Sequence, residues 1–128
     1  MEKGNSNSYY LDVDSGGRPL VGFFDGRYHD LISPSALQAN TWYFVAGTYD
    51  GSFLRLYVNG NLVSSLALSS SPSQNSEPLM IGWKFNGIPL DRFAGLIDEV
   101  QIYSAALSPA EVQQLFAAQN AALPGPVQ

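Results

Sequence analysis

The segment Phe93-Ala94-Gly95-Leu96-Ile97-Asp98-Glu99-Val100-Gln101-Ile102-Tyr103 runs into Ala106-Leu107-Ser108-Pro109-Ala110-Glu111-Val112. From Leu96, a period of two puts Leu96, Asp98, Val100 and Ile102 on one side and Ile97, Glu99, Gln101 and Tyr103 on the other, which predicts a strand. The Asp in the apolar row is the exception. Either a bulge near Asp98-Glu99 resets the parity, or the carboxylate sits inward with a partner. The helix that follows has a full set of start signals. Ser108 is the N-cap, Pro109 stands at the first helical position, and Glu111 completes a capping box. Leu107 and Val112 occupy the positions of a hydrophobic staple, and Leu115 and Phe116 continue the apolar stripe. Beyond Gln119 the tail, Asn120 to Gln128, reads as frayed, with Pro124-Gly125-Pro126 barring helix.

Upstream of this segment the chain reads as a meander. Trp42 to Tyr49 predicts a strand, with Trp42, Phe44 and Ala46 on one face and Tyr43, Val45 and Gly47 on the other. Asp50-Gly51 ends it with a hairpin signal. Phe53 to Val58 follows, Asn59-Gly60 makes a tight turn because both residues tolerate positive φ, and Leu62 to Leu68 returns. Earlier, Tyr9 to Val13 and Leu20 to Phe24 flank the turn Asp14-Ser15-Gly16-Gly17, and Asp25-Gly26 leads to a short strand over His29 to Ser33. Later, Ser69 to Pro78 is a polar loop, Leu79 to Trp83 a further strand, and Phe85 to Arg92 a loop with Asn86-Gly87 at its tip.

These pieces resemble the laminin-G-like jelly rolls of the concanavalin A-like superfamily. There, a Trp-Tyr-x-Val-Ala-x-Thr-Tyr-Asp-Gly strand leads to a Leu-Tyr-Val-Asn-Gly hairpin. An Ile-Gly strand, a Gly-x-Ile-Asp-Glu-Val-x-Ile-Tyr strand and a Leu-Ser-x-x-Glu helix follow. All five occur here in order, over about residues 40 to 116. Lys3-Gly4 to Gly17 also looks like the hairpin that precedes them. The resemblance implies an all-β antiparallel jelly-roll β-sandwich over residues 1–119 with one short C-terminal helix, and a flexible tail over 120–128. It also implies that the strands at the front of such a domain are missing. An incomplete sandwich has open edges, which predicts a homodimer or strand-exchanged oligomer; re-registration into a smaller complete sandwich is the alternative.

Composition sets further bounds. The 128 residues suit one domain, and 45% hydrophobic with 13% charged residues fits a sandwich faced with Ser, Asn, Gln and Thr. A net charge of −5 with six scattered Lys and Arg speaks against nucleic acid. No apolar run reaches the length of a membrane span, so membrane insertion is not expected. With no cysteine there is neither a disulfide framework nor a thiolate metal site. Catalysis is not expected. Glu2, Glu77, Glu99 and Glu111 lack the spacing of a glycosidase pair, and Asp98 and Glu99 are adjacent, so on a regular strand they face opposite ways. No nucleophile elbow or phosphate loop occurs.

By resemblance, such domains bind carbohydrate or protein partners at the cell surface or outside the cell. A glycan or glycoprotein ligand needs an aromatic platform flanked by amides and carboxylates. Trp83, Phe85, Asn86, Asp91 and Arg92 supply those residue types, and Phe24, Asp25, Arg27, Tyr28 and His29 form a second such cluster. The competing reading is that most sandwich aromatics are core; Trp42 and Tyr57 are expected there, and only one of Tyr9 and Tyr10. His29, the lone histidine, reads as a polar surface residue. In several relatives a structural calcium is held by the Asp of the Ile-Asp-Glu-Val strand, which corresponds to Asp98. The alternative is that Asp98 bonds backbone amides at a bulge.

Overall fold

The computed structural model describes residues 1–3, 8–82 and 92–122. Eight strands and one helix follow in order: β1 Glu2–Lys3, β2 Tyr9–Val13, β3 Pro19–Phe24, β4 Tyr28–Ile32, β5 Val45–Tyr49, β6 Phe53–Val58, β7 Asn61–Ala67, β8 Leu79–Met80 and α1 Pro109–Ala122. The strands form a five-stranded sheet of order β4-β3-β2-β1-β8 and a three-stranded sheet of order β5-β6-β7. Every pairing is antiparallel. The architecture is the all-β jelly-roll sandwich with a C-terminal helix that the sequence implies.

Local chemistry fixes the hairpins. Asp14 Oδ1 accepts the N–H groups of Gly16 and Arg18, both at 2.9 Å, and so closes the β2–β3 turn. Asp50 Oδ1 accepts from Ser52 and Phe53 at 2.9 and 2.7 Å, while Oδ2 holds Arg55 Nη1 at 2.6 Å. Asn59 and Gly60 both have positive φ, 51° and 78°, the paired left-handed geometry of a two-residue hairpin.

The two sheets meet through Val21 of β3 and Leu54 and Leu56 of β6, with Leu11, Leu31, Val45, Tyr49 and Val63 packed around them. Full burial of a side chain such as Leu56 stabilises the fold by about 1.5–3 kcal/mol. A Cβ on Gly47 would come within 2.3 Å of Val21 Cγ2, so the missing side chain admits the opposite sheet. Phe23 and Tyr49 bring their rings to 4.9 Å across the interior. At one end of the three-stranded sheet, Phe116 of α1 packs on Phe44 at 5.8 Å. The capping box is present: Glu111 Oε2 accepts from Ser108 N–H at 2.7 Å, and Ser108 Oγ accepts from Glu111 N–H at 3.3 Å. The Ser108 N–H lowers the Glu111 pKa.

Several expectations are corrected. Residues 96–102 are not a strand. Their side chains are exposed, and the backbone of residues 94–107 bonds to no other described backbone group. The alternation is present, but no described strand pairs with it. Strand β5 begins at Val45 rather than Trp42, because its partner β6 turns at Asn59, leaving nothing beyond Phe44 to pair with Trp42 and Tyr43. Trp42 is accordingly 45% exposed and not core. Strand β8 covers only Leu79–Met80 of the expected 79–83. The helix continues through Asn120 and Ala121 to Ala122, past the expected end at Gln119.

Candidate functional site

Alternation along β2, β3 and β4 divides the aromatic residues between two faces. Val21 and Phe23 point into the sandwich, so Leu20, Gly22 and Phe24 point away from it. The register carries this across the sheet: Tyr10 pairs with Gly22, Gly22 with Asp30, and Phe24 with Tyr28. Tyr10, Gly22 and Asp30 therefore form a row on the outer face. Gly22 is small for a reason: a Cβ there would lie 2.4 Å from the Tyr10 hydroxyl. The Tyr10 ring crosses over Gly22, and its hydroxyl donates to Asp30 Oδ1.

Tyr28 stands beside this row, 4.9 Å from Phe24 and edge-on to Tyr10 at 6.4 Å. It is 56% exposed, whereas Tyr10 is only 5% exposed. The outer face thus presents an exposed aromatic ring held by two others, next to an exposed carboxylate whose position is fixed by a tyrosine hydroxyl. An aromatic face supplies an apolar surface for a pyranose ring, and a carboxylate accepts from its hydroxyls. Asp30 was not among the expected site residues. Its signal in the sequence is the i,i+2 spacing from Tyr28, which puts both on one face of a strand.

Asp25 is drawn elsewhere. Its Oδ2 lies 2.9 Å from His29 Nε2, and His29 is opposite Phe23 on the inner side of the sheet, with their rings 5.3 Å apart. His29 is therefore no free surface residue, which corrects the reading above. The Asp25 carboxyl is held down to about 2 from its ordinary 3.8, first by the Ser70 hydroxyl, with His29 and the Arg27 N–H assisting against partial desolvation. Close by, Ser73 N–H donates to Phe24 carbonyl at 2.7 Å. The Ser73–Phe24 bond ties the β3–β4 turn to the chain after β7. The cluster read as Asp25 plus Tyr28 is split: Asp25 holds the fold, and Tyr28 faces solvent.

Trp83, Phe85, Asn86 and Asp91 lie outside the described residues. Arg92 is described and exposed. Tyr57 is buried, as expected. Asp98 is exposed, and its Oδ1 accepts from the Glu99 N–H at 2.8 Å. Glu99 has a φ of 51°, and Asp98 and Glu99 line the same cleft as Trp42. Calcium asks for six to eight oxygens. One Asp98 oxygen is committed to the backbone, and no three of His, Asp and Glu gather among the described residues. Among them, too, no helix is long and apolar enough to cross a membrane.

A two-sheet antiparallel jelly roll is the architecture of the concanavalin A-like class. The laminin G-type family model, described as the concanavalin A-like lectin/glucanases superfamily, matches residues 1–113, and the chain belongs to that family. Among solved structures, it is similar to the 2.1 Å crystal structure of an S-layer domain-containing protein (residues 221–444) from Clostridium thermocellum ATCC 27405. The identity is 26% and the TM-score 0.57, over 84% of this chain and 55% of that one. The chain thus spans about half the length of that structure. No curated protein sequence matches it. Family membership supports a non-catalytic binding module.

Proposed function

We propose that the chain is a carbohydrate- or glycoconjugate-binding module of the cell surface or extracellular space, acting in adhesion or as an accessory domain. It reads its ligand on the outer face of the five-stranded sheet. The observation that carries this is the exposed Tyr28 ring, braced by Phe24 and Tyr10, beside the Asp30 carboxylate. Tyr28 is the platform, and Asp30 accepts hydroxyls at its rim. Glycan-array screening of the wild type, followed by Tyr28→Ala and Asp30→Asn on any hit, tests it. Each variant is expected to weaken binding by about tenfold or more without unfolding the protein, since both side chains are exposed. Full affinity in Tyr28→Ala would remove the platform.

A second reading is favoured by one observation: the backbone of residues 94–107 meets no other described backbone group, beside the exposed Leu96, Ile97, Val100 and Ile102. In it the chain is a structural module that self-associates, with residues 96–102 completing a strand pair with a second copy. Light scattering tests this: a dimer is expected at micromolar concentration, and a monomer throughout would contradict it.

A further inference from the structure

A cleft of about 120 Å³ opens beside the Asn59-Gly60 turn, walled by the residues before β5, by α1 and by residues 98–99. Trp42, Phe44 and Phe116 supply its aromatic surface, and Asp98 and Glu99 its charge. On a regular strand, adjacent side chains leave on opposite faces. The left-handed φ of 51° at Glu99 breaks that alternation and lets both carboxylates line one cleft. A residue other than glycine held in this region stores strain, and such strain collects at functional sites.

Among the described residues, no cation compensates the charge of this cleft. Asp14 and Asp50 each hold an arginine at 2.7 and 2.6 Å, and Asp25 has His29 at 2.9 Å. Asp98 and Glu99 have no such partner, and no Lys, Arg or His lines the cleft, among the described residues. Two carboxylates set against aromatic faces are the chemistry that recognises an organic cation, by ion pairing on one side and cation–π attraction on the other. A neutral hydroxyl needs no such pair. At about 120 Å³ the cleft is smaller than sites that enclose a drug-sized ligand, so it suits one charged group at the edge of a larger molecule. It is also open, since Trp42 is half-exposed.

We propose that this cleft binds the ammonium group of an amino sugar. The sugar as carrier rests on the glycan reading above; the cation preference rests on the cleft alone. Asp98 and Glu99 receive the ammonium, the Trp42 ring covers it, and Gln119 and Asn120, which also line the cleft, offer side-chain amides to ring hydroxyls. The cleft is separate from the Tyr28 face, so the module would grip a glycan bearing unacetylated amines at two places.

Titration followed by NMR tests the assignment, using the Trp42 indole N–H and the Gln119 and Asn120 side-chain amides as reporters. The probes are glucosamine, N-acetylglucosamine, glucose and propylammonium at constant ionic strength, near neutral pH. Glucosamine is expected to bind at least about tenfold more tightly than each of the other three. That advantage is expected to vanish in the doubly substituted Asp98→Asn, Glu99→Gln protein, whose exposed substitutions leave the fold intact, and to persist within about twofold in Tyr28→Ala. Equal binding of glucosamine and glucose, or an advantage that survives removal of both carboxylates, would overturn the proposal. Propylammonium binding as well as glucosamine would overturn the sugar as carrier. Loss of the glucosamine advantage in Tyr28→Ala would move the site to the outer face. A glycan array without hits beside an intact glucosamine preference would sink the outer-face reading and leave the cleft standing.

Discussion

Residues 53–58 and residues 96–102 carry similar strand signals and meet opposite ends. Phe53–Val58 lies between two partners, pairs on both edges, and buries Leu54, Leu56 and Tyr57. Leu96 to Ile102 alternates as cleanly, yet its backbone finds no described backbone partner and Leu96 is 77% exposed. Alternation tells a segment which face it would bury if a sheet edge lay beside it; it does not supply the edge. For residues 53–58 the edges come from the next hairpins along the chain, a few residues away. For residues 96–102 the pairing must come from a distant segment or another molecule. The structural neighbour, of which this chain spans 55%, has a length of chain to which nothing here corresponds.

Substitutions sharpen this contrast, and the largest effect comes first. Leu56→Ala, at a fully buried position, is expected to cost about 2–5 kcal/mol in urea unfolding, whereas Leu96→Ala is expected to stay within about 0.5 kcal/mol. Equal costs would mean that residues 96–102 are packed, and the comparison would fail. Next, Gly22→Ala would drive a methyl into the Tyr10 ring and the His29 carbonyl, and is expected to cost about 1–3 kcal/mol. A neutral result would place Tyr10 away from Asp30 and weaken the outer-face site with it. Ser108→Ala removes the acceptor for the Glu111 N–H at the start of α1, with an expected cost of about 1 kcal/mol.

The smallest effects belong to the turn carboxylates. Asp25 and Asp50 are both held at about 2 from an ordinary 3.8, Asp50 chiefly by Arg55. A lowered carboxyl pKa means that the folded state favours the ionised form. Its contribution is complete above pH 3.8 and is lost as pH falls through about 2. The urea midpoint of the wild type is therefore expected to drop across that window, and less so in Asp25→Asn or Asp50→Asn. Parallel pH profiles for the three proteins would show that neither turn depends on its charge.

The parts of the fold that were legible in the sequence are those whose partners lie close along the chain. Asn59-Gly60, the aspartate turns and the Ser108–Glu111 box each decide their geometry within a few residues, and each is present. Trp42 misled because its period matched β5 while its pairing depended on where β6 turns, seventeen residues away. The site was half legible. Tyr28 was visible as an aromatic beside a turn. Its separation from Asp25 was not, because the face each residue takes depends on cross-strand register: Phe24 opposite Tyr28 outside, Phe23 opposite His29 inside. The Tyr10–Asp30 contact crosses two strand pairings and depends on the absence of a side chain at Gly22, which no single segment announces.

Amide hydrogen exchange, read residue by residue over a range of protein concentrations, tests the contrast most directly. Residues 54–58 are expected to be protected at every concentration. Residues 96–102 are expected to exchange fast when dilute, because their backbone meets no described backbone partner, and to gain protection only as light scattering shows association. Protection of residues 96–102 equal to that of residues 54–58 in a protein that scatters as a monomer would mean that the segment has found its edge within its own chain, and the account of an unpaired strand would be wrong.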